Sequence, residues 1–170
     1  MIQPNDEQPQ ESLQGLDELQ SSLGFAIREA QIQAFKTFFD AFPAEKLSPA
    51  VHAILHLIRR NPGVTARVVA QSLRILEPNM TTMVRKLVAS DLVVRTTVPE
   101  DKRASALHLT RQGEALMSAI DDRVADLEEI YAEALSETER ATLIELLHRL
   151  GRSLSARRAR RQEELADIED

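Results

Sequence analysis

His52 and His56 stand four residues apart, the spacing at which two imidazoles on one helix face can share a metal ion. Nothing nearby completes such a site. The chain has no cysteine, no carboxylate is suitably placed on that segment, and the His-Glu-x-x-His pattern is absent. The pair reads instead as helix surface, or as the polar lining of a pocket. A second group is Phe25, Arg28, Ile32, Phe35 and Phe39, whose spacings of three, four, three and four place them on one helical face. Arg28 interrupts an otherwise apolar stripe, and a guanidinium beside aromatic rings suits an aromatic carboxylate or a thioester of one. All 5 Phe lie between Phe25 and Phe42. The alternative is that they are core, as aromatic stripes at helical spacing usually are, with Arg28 reaching to water or pairing with an acid.

A third group is dominated by hydrogen-bonding and cationic side chains. Asn79, Thr81 and Thr82 cluster near the start of one segment, with Arg85 and Lys86 a turn further on. Asn pairs bidentately with adenine, Thr offers a hydroxyl and a methyl suited to thymine, and the two cations suit phosphates. Thr65, heading a shorter segment upstream, joins this set. Asp101-Lys102-Arg103 concentrates charge in a turn where folding requires none. An Asp two residues before an Arg can orient the guanidinium and leave its outer edge to enter a narrow minor groove. Either feature alone is satisfied by a cap or a solvated turn. At this separation they support each other as a reading helix and a hairpin wing.

The elements that must position these residues follow from periodicity and caps. Apolar residues from Leu16 to Phe42 describe one long helix, ended by Pro43. Ser48-Pro49 is a helix start, and the helix stops at Asn61-Pro62-Gly63. Thr65 caps a short helix, and Glu77-Pro78 opens another in which Met80, Met83, Val84 and Leu87 face inward. Three short helices joined by tight turns outline a helix-turn-helix unit. Leu92–Val98 reads as a strand, Pro99–Arg103 as a polar turn, and Ser105–Leu109 as the returning strand. Thr110 caps a long helix, and the capping box Ser136-Glu-Thr-Glu139 opens the last one. The fold class is therefore mainly α with a small β-hairpin wing: a winged helix-turn-helix core flanked by long dimerisation helices. Its expected divisions are a tail over 1–12, an N-terminal dimerisation helix over 13–45, and the DNA-binding domain over 46–111. C-terminal dimerisation helices over 112–162 and an acidic tail over 163–170 follow.

Charge is unevenly distributed. The chain carries a net −6, yet Arg59 to Arg111 holds 10 Lys/Arg against 4 Asp/Glu, and the rest holds 11 against 23. Phosphates are drawn to the centre and repelled elsewhere. The absence of cysteine excludes disulfides, thiolate nucleophiles and thiol sensing. No Gly-rich phosphate loop, Ser or Cys nucleophile motif, or His/carboxylate constellation appears, so neither an enzyme nor a bound cofactor is expected. No run approaches the ~18 apolar residues of a membrane span, and the first residues lack a signal-peptide pattern, so a cytoplasmic location is expected.

The run from Ser48 to Gly113 resembles the MarR (multiple antibiotic resistance regulator) family. The resemblance rests on Asn61-Pro62-Gly63-Val64-Thr65, on Val84-Arg85-Lys86-Leu87, and above all on Asp101-Lys-Arg-Ala-Ser-Ala-Leu-His-Leu-Thr110 with Gly113 after it. That last stretch is similar to the family's D-x-R…L-T wing signature. The resemblance implies a homodimer with interlocking terminal helices, an imperfectly palindromic DNA site, and a small aromatic or carboxylate ligand near the dimer interface. Asp91 stands where the family often has Gly, and Asp tolerates the left-handed backbone that turn needs. Pro78-Asn79-Met80 also departs from the pattern and leaves the base sequence of the site open.

The expected function is a ligand-responsive transcriptional repressor, released from duplex DNA by an aromatic acid or its acyl thioester. The alternative is a winged-helix DNA-binding or architectural protein without a small-molecule effector. Arg157-Arg158-Ala159-Arg160-Arg161 reads first as a solvated helix end with i,i+4 charge pairing. Contact with flanking DNA, or with the phosphates of a nucleotide-bearing ligand, is the other reading.

Overall fold

The structure, a computed structural model, describes residues 14–45, 47–98 and 101–169. The tail expected over 1–12 lies outside the described residues, as do the side chains of Asp101, Lys102 and Arg103. The elements are α1 (Leu16–Gln20), α2 (Leu23–Ala41), α3 (Pro49–Arg60), β1 (Val64–Thr65), α4 (Ala66–Leu73), α5 (Glu77–Ala89), β2 (Val93–Val98), β3 (Asp101–Leu109), α6 (Arg111–Ala132) and α7 (Glu137–Glu169). The fold is mostly helical with a small antiparallel sheet, as the sequence implies. Two compact units are present, one ending at Met117 and one beginning at Ser118.

The first unit holds the helix-turn-helix and the wing. Caps set its helix boundaries. The Ser48 hydroxyl accepts the Val51 N–H at 3.2 Å, with Pro49 in the first turn, and Thr65 accepts the Val68 N–H at 3.4 Å. Leu76 precedes α5 without a side-chain cap. The expected single N-terminal helix is instead two, α1 and α2. At the break the Ser21 and Ser22 hydroxyls donate to the Glu18 and Leu19 carbonyls, and Ser22 accepts the Phe25 N–H at 3.3 Å. Serine side chains that compete for backbone partners end one helix and cap the next.

The sheet has three strands rather than the two expected, in the order β1-β3-β2. Gly63, at φ 89°, turns the chain after α3, and its N–H donates to the Leu107 carbonyl at 2.9 Å. Val64 and Thr65 then pair with Leu107 and Ala106 of β3. The return strand is also longer than expected. It starts at Asp101, which pairs with Val98, so Asp101–Arg103 belongs to the strand and not to the turn. The register shifts between Thr97, which pairs with Ser105, and Val98, so the ladder is irregular at its outer end. Asp91 adopts the left-handed conformation at φ 54°, as its place in the turn requires.

The core of this unit is Ile54, Leu55 and Ile58 of α3, Val69 of α4, Met80, Val84 and Leu87 of α5, Val93 and Leu107 of the sheet, and Met117 of α6. Each such side chain contributes about 1.5–3 kcal/mol on burial. Met83, expected inside with its neighbours on α5, is only half-buried. Helix α2 supplies Phe38, and its C-cap supplies Phe42, with ring centroids 4.7 Å apart. At the base of the wing the Thr110 hydroxyl accepts the Gly113 N–H at 3.0 Å and donates to the Asp91 carbonyl. Arg59 pairs with Glu114 at 3.3 Å.

The second unit comprises the rest of α6 and all of α7. Ile120 and Leu127 are buried. The predicted capping box is present: Glu139 accepts the Ser136 N–H at 2.9 Å and its hydroxyl at 2.6 Å, and Ser136 accepts the Glu139 N–H at 3.3 Å. Those bonds stabilise the ionised carboxylate and hold the Glu139 pKa below its ordinary value. Helix α7 runs through the acidic stretch to Glu169. It exposes Leu143, Ile144, Leu146, Leu147 and Leu154. Among the described residues no helix is long and apolar enough to cross a membrane.

Candidate nucleic-acid interface

Helix α5 turns its apolar side inward through Met80, Val84 and Leu87, and that packing decides what faces out. Asn79, Thr81, Arg85 and Lys86 are exposed, while Thr82 is half-buried. The Thr81 hydroxyl donates to the Glu77 carbonyl at 2.9 Å, and the Thr82 hydroxyl donates to Pro78 at 3.1 Å. Their hydrogens are committed to the helix, so each oxygen remains only as an acceptor beside its methyl group. Asn79 keeps its whole amide available in the first turn. Arg85 and Lys86 lie two turns along.

Beside α5 runs a cleft of about 580 Å³, lined by Thr65, Arg67, Glu77, Thr81, Arg95 and Ser105 among others. Three elements meet there: the head of α4, the first turn of α5 and the sheet. Thr65 is half-buried and engaged as a cap, which leaves it one face of its side chain toward the cleft. Two cations were missed in the sequence. Arg67 sits at the exposed start of α4, 3.8 Å from Glu77, and Arg95 projects from β2 opposite Leu107. Strand alternation hid Arg95, since it puts Arg95 on the same face as buried Val93 two residues before it. Arg67 carried no signal either, because its relation to Glu77 is set by the turn between α4 and α5.

The second candidate group separates. Phe25 and Ile32 are half-buried, Arg28 is exposed, and Phe35 and Phe39 are 42% and 47% exposed. The phenylalanines that do enter the core are Phe38 and Phe42, at 6% and 1%. The core reading therefore holds for those two and fails within this chain for Phe35 and Phe39. Arg28 meets no carboxylate among the described residues. His52 on α3 is half-buried, 6.0 Å from the Phe38 ring and 6.1 Å from exposed His56. Among the described residues no three His, Asp or Glu lie close enough to hold a metal ion.

Comparison with known proteins agrees with this architecture. The MarR family model matches residues 46–104. A protein assigned as transcriptional regulator of the hcr operon in Thauera aromatica is 34% identical over 131 residues, which span 76% of this chain and 79% of that protein. The solved structure of the transcriptional repressor CouR bound to a 23-mer DNA duplex is similar with a TM-score of 0.74 at 33% identity, covering 80% of this chain and 96% of that one. CouR bound to p-coumaroyl-CoA is similar with a TM-score of 0.73 at 32% identity, covering 79% and 95%. With its wing, its helix-turn-helix and these relatives, the chain is a member of the MarR family, a transcriptional regulator and not an enzyme.

Proposed function

We propose that this regulator is a homodimeric repressor that grips an imperfectly palindromic duplex and is released by an aromatic acid or its acyl thioester. The observation that carries this reading is the face shared by α4, α5 and β2. Exposed Asn79, Thr81, Arg85 and Lys86 stand there beside a cleft that adds Arg67 and Arg95. In this reading Asn79 and Thr81 meet base edges, and Thr65, Thr82, Arg67, Arg85, Lys86 and Arg95 set the register on phosphates and sugars. Asp101, Lys102 and Arg103 bring the wing to the minor groove. CouR, a third identical in sequence, has been solved bound to a 23-mer DNA duplex, which supports duplex DNA as the partner.

Exposed apolar rows support the dimer. Leu23, Ile27, Phe35 and Phe39 on α2, and Leu143, Ile144, Leu147 and Leu154 on α7, each lie open within one chain. A second copy would cover both rows and set two reading helices one duplex turn apart, about 10 base pairs. The p-coumaroyl-CoA complex of CouR supports an aromatic acyl effector. Phe25, Arg28, Ile32, Phe35 and Phe39, with His52 and His56 on α3, are the residues assigned to it.

The test is fluorescence anisotropy with duplexes from the chain's own promoter. Binding should fall roughly 10³-fold or more between about 50 and 200 mM salt, as counterion release demands. Adding p-coumaroyl-CoA or the free acid should release the DNA, and Arg28→Ala should raise the concentration required. A protein that ignores every promoter fragment at low salt, or stays a single subunit at micromolar concentration, contradicts the reading.

A further inference from the structure

We propose that Arg157, Arg158, Arg160 and Arg161 on α7 form a binding site for the phosphates of coenzyme A, the nucleotide half of an acyl-thioester effector. This rests on the effector reading above and names the chemistry that would favour a thioester over a free acid. All four side chains are exposed, and with Leu154 and Glu164 they line an open groove of about 730 Å³. Five consecutive helical residues rise only about 6 Å, so four guanidinium groups are held close together despite their mutual repulsion.

Among the described residues, the pairing that would make this an ordinary solvated helix end does not form. Arg160 and Glu164 have the i,i+4 spacing, yet none of the four arginines forms an ion pair among the described residues. The Nε of Arg160 donates to the Ala156 carbonyl at 3.4 Å, which fixes one side chain along the helix. Planar guanidinium forks match phosphate oxygens bidentately, and a diphosphate with a further phosphate monoester offers enough oxygens for four of them.

Shape and surroundings favour a compact anion over duplex DNA. A duplex carries a charge every ~1.7 Å along its axis and would extend past the cluster. The sequence that follows, with Glu163, Glu164, Asp167 and Glu169, is acidic, a composition that disfavours a long polyanion. A short phosphate group ends before reaching them. Leu154, 56% exposed and one turn before Arg157 and Arg158, gives the uncharged arm of the ligand an apolar surface to rest on.

The experiment is calorimetric titration of the full-length protein with coenzyme A, with pantetheine, which lacks the phosphates, and with a non-operator duplex. Coenzyme A should bind at least about tenfold more tightly than pantetheine, and added salt should weaken it. The double variant R157Q/R161Q should lose about tenfold or more for coenzyme A, and R157K/R161K, which keeps the charge but not the fork, should lose less, both keeping wild-type operator affinity within about twofold. Equal binding of coenzyme A and pantetheine overturns the site, as does unchanged coenzyme A affinity in R157Q/R161Q. A variant that loses operator affinity but keeps coenzyme A affinity assigns the cluster to DNA instead. If p-coumaroyl-CoA releases wild type and R157Q/R161Q at the same concentration, the arginine site falls and the effector reading survives. If coenzyme A binds the arginines but no acyl thioester releases the operator, the reverse holds.

Discussion

Gly113 lies in the first turn of α6, where alanine is ordinarily the better helix former by about 1 kcal/mol. Here the substitution should destabilise. A Cβ on Gly113 would stand 2.2 Å from the Leu92 carbonyl oxygen, 3.1 Å from its carbon and 3.4 Å from the Leu109 Cβ. The obstacle is backbone, so no rotamer change can relieve it. That carbonyl also accepts the Thr110 N–H at 3.1 Å, and Leu92 sits between left-handed Asp91 and buried Val93. Moving the carbonyl aside by about 1 Å costs roughly 1–3 kcal/mol as overpacking, and loosening its hydrogen bond adds about 1 kcal/mol. Set against the propensity gain, the net loss is about 1–3 kcal/mol, or ~2–4 °C in Tm per kcal/mol for a chain of this size. Urea unfolding at fixed protein concentration should show a lower midpoint with the slope unchanged. Gly24, with nothing within 4 Å of its built Cβ, is the control. Gly24→Ala should be neutral or stabilising by up to about 1 kcal/mol. If Gly113→Ala is as stable as Gly24→Ala, the close approach of α6 to the base of the wing does not govern this junction.

Arg103→Ala should weaken operator binding by about 1–3 kcal/mol while sedimentation still reports the wild-type mass, and an unchanged Kd would remove the wing from the DNA. Asn79→Ala should flatten the preference among operator variants, whereas Arg85→Gln should weaken all sequences alike and lower the salt slope by about one. The opposite pattern would exchange their roles. Glu139 has a lowered pKa, so its contribution is complete above the ordinary carboxylate pKa and is lost as pH falls through the lowered one. The stability advantage of wild type over Glu139→Gln should therefore shrink on acidification from neutrality, and a pH-independent difference would remove the carboxylate from the cap. Thr110→Val loses the acceptor for the Gly113 N–H and the donor to Asp91, and should cost about 1–2 kcal/mol in urea unfolding. No loss would mean water replaces both bonds.

Local chemistry was legible wherever a short-range rule applies. Ser48-Pro49, Thr65 and Ser136 with Glu139 could be placed as caps because a cap needs only a hydroxyl and an N–H two or three residues on. The left-handed turn at Asp91 was legible only through the family resemblance, which often has Gly at that place. Strand β1 was not, since two residues carry no period and their partners, Leu107 and Ala106, lie some forty positions away. The Ser21–Ser22 break was hidden by an apolar pattern that continues across it. The site divides along the same line. The outward face of α5 follows from helical spacing, whereas Arg67 and Arg95 come together only once the sheet and the α4–α5 turn have formed. Phe38 and Phe42 were indistinguishable in type from Phe35 and Phe39, and only packing separates them.

The two-residue strand β1 has a mechanical consequence. It stitches the return strand of the ribbon to the residue that caps α4, through Thr65 and Ala106 and through the Gly63 N–H on Leu107. A tug on the ribbon is therefore felt at once by the helix-turn-helix. Neither can flex far without straining a ladder rung, so under the proposed DNA-binding role the ribbon and the helix-turn-helix would dock and lift off together.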